Sequence, residues 1–181
     1  MRIYKQLKQN RGFTLLELMI VLVIMGVMFS MAIPSFKIIM QNSHAAEAVN
    51  TFIAQANFAR SEAIKRNSRV TMCVSIDQET CNTTANWTLG WIIFNDVDNN
   101  GIVGSDEQII RIHAKQLQGD ITLIGNANVV SYLSYVGSGF PQLVGGAFQA
   151  GTIKYRDTAT YGRDIILAAS GRFRVEHFRP I

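Results

Sequence analysis

The chain has 181 residues, of which 48% are hydrophobic and 17% are charged, and its formal net charge is +4. Four of its 17 cationic residues stand in the first 11 residues without an acid, and 13 cations and 13 acids make up the rest. The N-terminal segment is therefore responsible for the basic pI of about 9.3. Because the rest of the chain is formally neutral, its overall charge does not support nucleic-acid binding.

An apolar segment covers residues 13–33 and contains a single ionisable side chain, Glu17. Its 21 residues are enough for a helix to span a bilayer core of about 30 Å. The cations before it predict a cytoplasmic N-terminus and an exported remainder. No small-residue cleavage site interrupts the passage into Pro34, so we expect the segment to be retained as an anchor.

Glu17 is an unusual residue for a membrane helix. A carboxylate there costs about 2.5–3.5 kcal/mol on insertion scales, which favours a function and a partner for it. A tolerated charge near the end of the span is the alternative, because Glu17 stands only four residues into the apolar segment.

The stretch GFTLLE, residues 12–17, follows a short basic leader and resembles the class III signal of type IV pilins and pseudopilins. The resemblance implies that a prepilin peptidase cuts after Gly12, removing residues 1–12, and methylates the new N-terminus on Phe13. It also implies that Glu17 attracts the N-terminal amine of a neighbouring subunit during filament assembly. Such pairing offsets the desolvation of both charges, so an unpaired Glu17 favours assembly.

A helical pattern continues through residues 34–67, where apolar residues recur at spacings of three and four. We predict one helix from Phe13 to about residue 67, kinked at Pro34, whose amphipathic second half packs on a globular domain. Residues 56–74, ANFARSEAIKRNSRVTMCV, resemble the GspH/FimT group of minor pilins and pseudopilins.

Residues 68–181 contain eight short β-like runs separated by Gly, Asn, Asp and Ser clusters. We predict an α+β, type IV pilin-like fold in which the long N-terminal helix packs on a mainly antiparallel β domain. The glycine-rich stretch 137–151 is predicted to be a loop, since it lacks the spacing of a phosphate-binding motif. The predicted strands are Arg69–Ile76, Thr88–Asn95, Gln108–His113, Ile121–Ile124, Val129–Val136, Gly151–Arg156, Arg163–Ala168 and Arg172–Phe178.

The only two cysteines, Cys73 and Cys81, flank a polar turn. In an exported domain an even pair this close predicts a disulfide. Two free thiols, or half of a metal site, are the alternatives.

Residues 96–107, DVDNNGIVGSDE, match the spacing of a calcium-binding loop. The flanking segments read as strands rather than as the helices of an EF-hand, so a solvated acidic turn competes with a weak calcium site that stiffens the hairpin. The matching positions are Asp96, Asp98, Asn100, Gly101 and Glu107.

The C-terminal segment SGRFRVEHFRPI predicts a strand with Arg172, Arg174 and Glu176 on one face. Residues 171–174, GRFR, resemble the GRxR tail of FimT-like minor pilins, some of which bind DNA during natural transformation. Sequence-independent contacts to double-stranded DNA phosphates are one interpretation, and a charged strand edge that discourages sheet pairing is the other. The cations proposed for DNA are Arg172, Arg174, Arg179, Lys154, Arg156 and Arg163.

Two functional classes follow from these resemblances. The first is a minor pilin of a type IV pilus, possessing a DNA-binding tail for uptake in transformation. The second is a GspH-type minor pseudopilin of a type II secretion system. Before assembly, either would be a single-pass inner-membrane protein with a periplasmic domain. Its partners would be other pilins or pseudopilins and the prepilin peptidase. After assembly, the minor pilin would lie in a pilus on the cell surface.

Catalysis has little support in the sequence. None of His44, His113 and His177 has a serine or cysteine in a recognisable nucleophile setting, so we predict no enzyme and no catalytic residue. Calcium is the one cofactor that the sequence suggests.

Overall fold

The computed structural model describes residues 12–84, 86–114, 121–126, 128–157 and 162–178. The chain divides into two compact units, Met1–Asn42 and Ser43–Ile181. Helix α1, Leu15–Arg66, begins in the first unit and ends in the second, which confirms the predicted long helix. It is continuous through Pro34, and the kink there stays a prediction.

The first unit presents apolar side chains to its surroundings. Between Phe13 and Phe29 the large hydrophobic side chains are 45–90% exposed. Leucine, isoleucine, valine and methionine occur all around the helix, so it has no polar face to turn toward water. In the part of the chain that the structure describes, no helix is identified as long and apolar enough to cross a membrane. The membrane span proposed for residues 13–33 stays a prediction.

In the second unit, α1 buries a stripe of mostly small residues. These residues recur at spacings of three and four, the pattern predicted for an amphipathic helix. Alanine at most of these positions allows the backbone of α1 to approach its neighbours closely, and Phe52 is the one large side chain among them. The stripe consists of Ala45, Ala48, Val49, Phe52, Ala56, Ala59 and Ala63.

The described residues of the second unit also form two four-stranded antiparallel sheets. In chain order the strands are β1 (Val70–Val74), β2 (Trp91–Asn95), β3 (Ile109–His113), β4 (Thr122–Gly125), β5 (Tyr132–Tyr135), β6 (Gly151–Arg156), β7 (Gly162–Leu167) and β8 (Phe173–Phe178). The first sheet has the order β3-β2-β1-β5 and the second has the order β4-β6-β7-β8. All eight predicted strands are therefore present, and the antiparallel arrangement is confirmed.

Two predicted strands begin three residues later than expected: β5 begins at Tyr132 instead of Val129, and β2 begins at Trp91 instead of Thr88. Thr88 and Leu89 belong to a short 3₁₀ helix, Trp87–Leu89, because the Asn86 side chain accepts a hydrogen bond from the Thr88 backbone N–H. Gly90 follows with φ of 117°, and a Cβ there would lie 2.6 Å from the His113 carbonyl oxygen. Because of this tight turn, β2 begins only at Trp91.

Aromatic rings fill the core between α1 and the sheets. Phe52 meets Trp87 edge to face with 5.2 Å between ring centroids, and Trp91 with 5.6 Å. The Trp87 indole N–H donates a 2.9 Å hydrogen bond to the Val129 carbonyl oxygen, so its one polar atom is satisfied.

Candidate functional site

The start of α1 is closed by a reciprocal pair of side chains. Thr14 Oγ1 accepts from the Glu17 backbone N–H at 3.2 Å, and Glu17 Oε2 accepts from the Thr14 backbone N–H at 2.9 Å and its hydroxyl at 3.0 Å. Because α1 begins at Leu15, Thr14 is the N-cap and Glu17 the third helical residue, which is a capping box.

The capping box gives Glu17 a role that the sequence analysis missed. The signal was present, since T-x-x-E directly before an apolar run is the signature of this cap. Glu17 is exposed, and a carboxylate has lone pairs beyond those that a cap uses. Capping within one chain and pairing with another subunit are therefore compatible roles. Phe13, the expected N-terminal residue after processing, is also exposed.

Cys73 and Cys81 form the predicted disulfide, with 5.6 Å between their Cα atoms. Within the closed loop, Asp77 accepts hydrogen bonds from the side chains of Ser75 and Thr80 and from the backbone N–H groups of Glu79 and Thr80. These hydrogen bonds, those from Thr80 above all, hold the pKa of Asp77 well below its usual range. The loop is thus ordered by a carboxylate as well as by the covalent bond.

The acidic residues of the predicted calcium loop meet between β2 and β3. Asp96, Asp98 and Glu107 each bring a carboxylate oxygen within 4.8 Å of the other two. Asp96 is completely buried, and its Oδ2 accepts hydrogen bonds from Thr71 Oγ1 at 2.6 Å and the Gly101 N–H at 3.1 Å. Asn100 Oδ1 accepts from the Ile102 backbone N–H at 2.6 Å.

Of the predicted tail cations, Arg174 lies on β8, an edge strand of the second sheet, and Arg172 stands directly before that strand. Arg172 and Arg174 are both exposed, as is Lys154 on β6. Arg174 of β8 is paired with Ile166 of β7, and Lys154 of β6 is paired with Asp164 of β7. Because Ile166 and Asp164 are two residues apart on β7, both cations project to the same outer face of the sheet. We call this the basic face.

Acids lie among the cations of the basic face. Arg174 forms a 2.9 Å ion pair with Glu176, and Arg156 forms a 2.6 Å ion pair with Asp164. The first pair is largely exposed, so solvent screens it and either partner exchanges readily for another ion.

Two other predicted cations do not join the basic face. Arg163 pairs in register with His177 and is spaced by two and four residues from the buried Ile165 and Leu167 on β7. It therefore projects to the same inner face as they do, opposite to the basic face. Arg179 lies outside the described residues. The basic face therefore consists of Lys154, Arg156, Arg172 and Arg174.

Gly171 of the GRFR tetrad has a structural explanation. It adopts φ of 80° in the turn between β7 and β8, a conformation that glycine adopts without strain. Its carbonyl oxygen accepts a 3.2 Å hydrogen bond from Arg60 on α1, and an added Cβ would lie 3.1 Å from that guanidinium. The glycine thus lets the turn approach α1, and only the arginines remain available for a binding role.

None of the three histidines is assembled into a catalytic group among the described residues. His113 stacks on Trp91 with 4.1 Å between ring centroids, and His44 and His177 lie exposed on α1 and β8.

Comparison with protein families identifies the chain. The model of the family "Type II transport protein GspH" matches residues 48–171, which is more than half of the chain. The chain belongs to the GspH family. The prokaryotic N-terminal methylation motif also matches, over residues 7–33, and this range contains Gly12, Phe13 and Glu17.

Solved structures share the fold of this GspH-family chain. The type IV minor pilin FimU of Pseudomonas aeruginosa is 19% identical with a TM-score of 0.55, and the match covers 75% of this chain and 90% of FimU. The minor pseudopilin EpsH of the Vibrio cholerae type 2 secretion system is 12% identical with a TM-score of 0.50, covering 74% and 96%. No curated protein sequence matches significantly. The chain is therefore a minor pilin or pseudopilin with a type IV pilin-like fold.

Proposed function

We propose that this GspH-family chain is a minor pilin that enters a type IV pilus through its N-terminal helix. The exposed apolar surface between Phe13 and Phe29, with one carboxylate at its start, carries the proposal. Such a surface is stable only in a lipid bilayer or against other apolar helices. A single-pass anchor in the inner membrane with the domain in the periplasm, and then a position in the filament, provide both environments in turn.

Processing by a prepilin peptidase would prepare the chain for assembly. Removal of residues 1–12 creates an amino group on Phe13, four residues before Glu17. The amine of one subunit and the carboxylate of another would then pair where water is scarce, and such a pair is attractive only when both charges are present. Mass spectrometry of the native protein should find an N-methylated Phe13 as the first residue.

Glu17→Gln is expected to lower incorporation into filaments at least about tenfold, because the subunit amine loses its charged partner. The amide oxygen still accepts the hydrogen bonds of the capping box, so the start of α1 is kept. Immunoblots of sheared filaments, normalised to cellular protein, measure incorporation.

Thr14→Val is the matched control, because it removes the N-cap hydroxyl and keeps the carboxylate. We expect it to reduce incorporation far less than Glu17→Gln. Equal losses in both variants would mean that Glu17 acts through the cap alone, and the pairing would be wrong.

We also propose that the basic face binds double-stranded DNA without sequence preference. The exposure of Arg172, Arg174 and Lys154 in the second sheet and beside it supports this, because phosphate binding needs accessible cations and no particular base contact. In a pilus this activity would serve DNA uptake during natural transformation. The interspersed Glu176 and Asp164 predict modest affinity.

The DNA proposal predicts a distinctive salt dependence. Three phosphate contacts give a slope of about −2.7 for log affinity against log salt, and the double variant Arg172→Gln with Arg174→Gln should reduce the slope to about −0.9. Gel shifts or fluorescence anisotropy with the full chain in detergent measure it.

A charge-matched control for DNA binding is Lys65→Gln with Arg66→Gln, which removes two cations from the last turn of α1. This control should bind DNA nearly as well as the wild type. Absence of wild-type binding at low salt, or equal weakening by both double variants, contradicts a role for the basic face.

A GspH-type minor pseudopilin of a type II secretion system is the second candidate, favoured by the description of the matching family. Gene deletion separates the two. Loss of surface pili with normal protein secretion supports the minor pilin, and loss of secreted substrates with normal pili supports the pseudopilin.

A further inference from the structure

The loop of residues 96–107, here called the acidic loop, joins two paired strands. The Asn95 N–H donates to the Gln108 carbonyl oxygen at 3.0 Å and the Asp96 N–H donates to the Arg69 carbonyl oxygen at 3.0 Å, so the start of the loop is fixed to the first sheet. Asp96 follows β2 directly and Glu107 stands two residues before β3. Antiparallel pairing thus brings the first and twelfth positions of the motif together, as flanking helices do in an EF-hand.

Oxygen ligands collect on one side of this loop. A carboxylate oxygen from each of Asp96, Asp98 and Glu107 lies within 4.8 Å of the other two. Glu107 Oε1 accepts from the Val97 N–H at 2.6 Å and Oε2 accepts from the Gly104 N–H at 3.0 Å, which holds both oxygens of this side chain in place. Each oxygen keeps a lone pair for a further ligand, because an ionised carboxylate offers about four acceptor sites.

Asp96 provides an observation independent of the clustering. Its side chain is 0% exposed, yet no hydrogen-bond donor among the described residues reaches Oδ1. A buried carboxylate oxygen without a partner costs about 1–3 kcal/mol or more, so its persistence calls for a ligand. The other oxygen, Oδ2, is held by Thr71 and Gly101, and the Asp96 carboxylate as a whole belongs to the group formed with Asp98 and Glu107.

The electrostatics of the cluster also favour a cation. Three carboxylates in one cluster repel one another, and a divalent cation between them would offset that repulsion. The nearest buried cation is Arg69, whose four hydrogen bonds go to neutral acceptors on Asn99, Ser134 and Gln142. Among the described residues this arginine therefore forms no ion pair with the three acids, so it does not neutralise their mutual repulsion.

We propose that the acidic loop binds one calcium ion through Asp96, Asp98, Asn100 and Glu107. Three carboxylates and an amide oxygen are hard ligands, and the main-chain carbonyl of Ile102 stands at the seventh motif position, which is a ligand in calcium loops. Calcium accepts six to eight ligands in a flexible arrangement, whereas magnesium demands near-ideal octahedral geometry. A loop whose ligands are flexible side chains therefore suits calcium better than magnesium.

Calcium binding has a structural consequence for the exported domain. The ion would tie the start of the acidic loop to its end and thereby stiffen the connection between β2 and β3. Asn100, Gly101 and Ile102 also line a cleft of about 280 Å³ beside the disulfide, so the ion would order one wall of that cleft. The site does not depend on filament assembly or DNA binding, so its failure and theirs are distinguishable.

The test uses the full chain in detergent, stripped with EDTA and titrated with calcium chloride. Calorimetry should show one bound ion, and saturating calcium should raise Tm by about 5 °C. Glu107→Gln should weaken binding at least about tenfold, because it removes the charge at the position that calcium loops use for bidentate ligation. Magnesium chloride should bind at least about tenfold more weakly than calcium.

Asp106→Asn is the matched control, because it removes one negative charge from the same loop at an exposed position outside the ligand set. We expect its affinity to stay within about twofold of the wild type. If Glu107→Gln fails to fold by circular dichroism, Asp98→Asn replaces it, since its amide oxygen still accepts from the Asn100 N–H. No heat and no Tm shift at about 10 mM calcium, or equal weakening by Asp106→Asn, overturns the site.

Discussion

Phe52→Ala is expected to lower the free energy of unfolding by about 4 kcal/mol. Phe52 is completely buried and joins α1 to the two tryptophans of the core, so its removal loses the burial of a large ring and two edge-to-face contacts. The cavity would be bounded by rigid rings and by backbone, which relax little. Urea unfolding of the full chain in detergent, followed by tryptophan fluorescence, measures the loss.

Phe58→Ala provides the comparison for Phe52→Ala. Phe58 lies on the same helix, only half-buried, with the Arg111 guanidinium carbon 3.6 Å from its ring centroid. Both substitutions improve helix propensity by the same amount, so their difference reports packing alone. We expect Phe58→Ala to cost less than half as much, and equal losses would show that the contacts with Trp87 and Trp91 add nothing.

The elements of this fold were predictable because their signals are local. Apolar spacing of three and four residues defines the buried stripe of α1, and turn residues separate the eight strands. Strand order was not predictable, since β1 pairs with β5 only after three intervening strands. Such pairing depends on which apolar faces can be buried together, which no short window of sequence contains.

In the candidate sites, too, the features that depend on neighbouring residues were predictable and those that depend on distant residues were not. Side chains two residues apart on a strand point to the same face, so Arg163 shares a face with Ile165 and Leu167. Its separation from the basic face could therefore have been predicted from the sequence. The burial of Asp96 could not, because it depends on Thr71 of the neighbouring β1, 25 residues away in sequence. Residues 96–107 read locally as a solvated turn, and the buried carboxylate appears only once the first sheet is assembled.

The disulfide should contribute about 2.5 kcal/mol to the free energy of unfolding, as loop closure predicts for a bridge spanning eight residues. Cys73→Ser with Cys81→Ser is expected to lose this amount and a further small increment, because Cys73 is buried on β1 and a hydroxyl there needs a partner. The comparison is made by urea unfolding of the double variant and of the reduced wild type, which keeps the thiols buried.

The hydrogen bonds of Asp77 are expected to keep the loop of residues 73–81 partly ordered when the disulfide is reduced. Its hydrogen bonds to residues 79 and 80 favour the same loop conformation, so the reduced protein should keep the fold while losing stability. Combining Asp77→Asn with reduction is therefore expected to cost more than the sum of the two separate losses, because either device alone orders the loop. Strictly additive losses would mean that carboxylate and disulfide act on the loop independently, and an unchanged midpoint after full reduction would show that the bridge does not stabilise this domain.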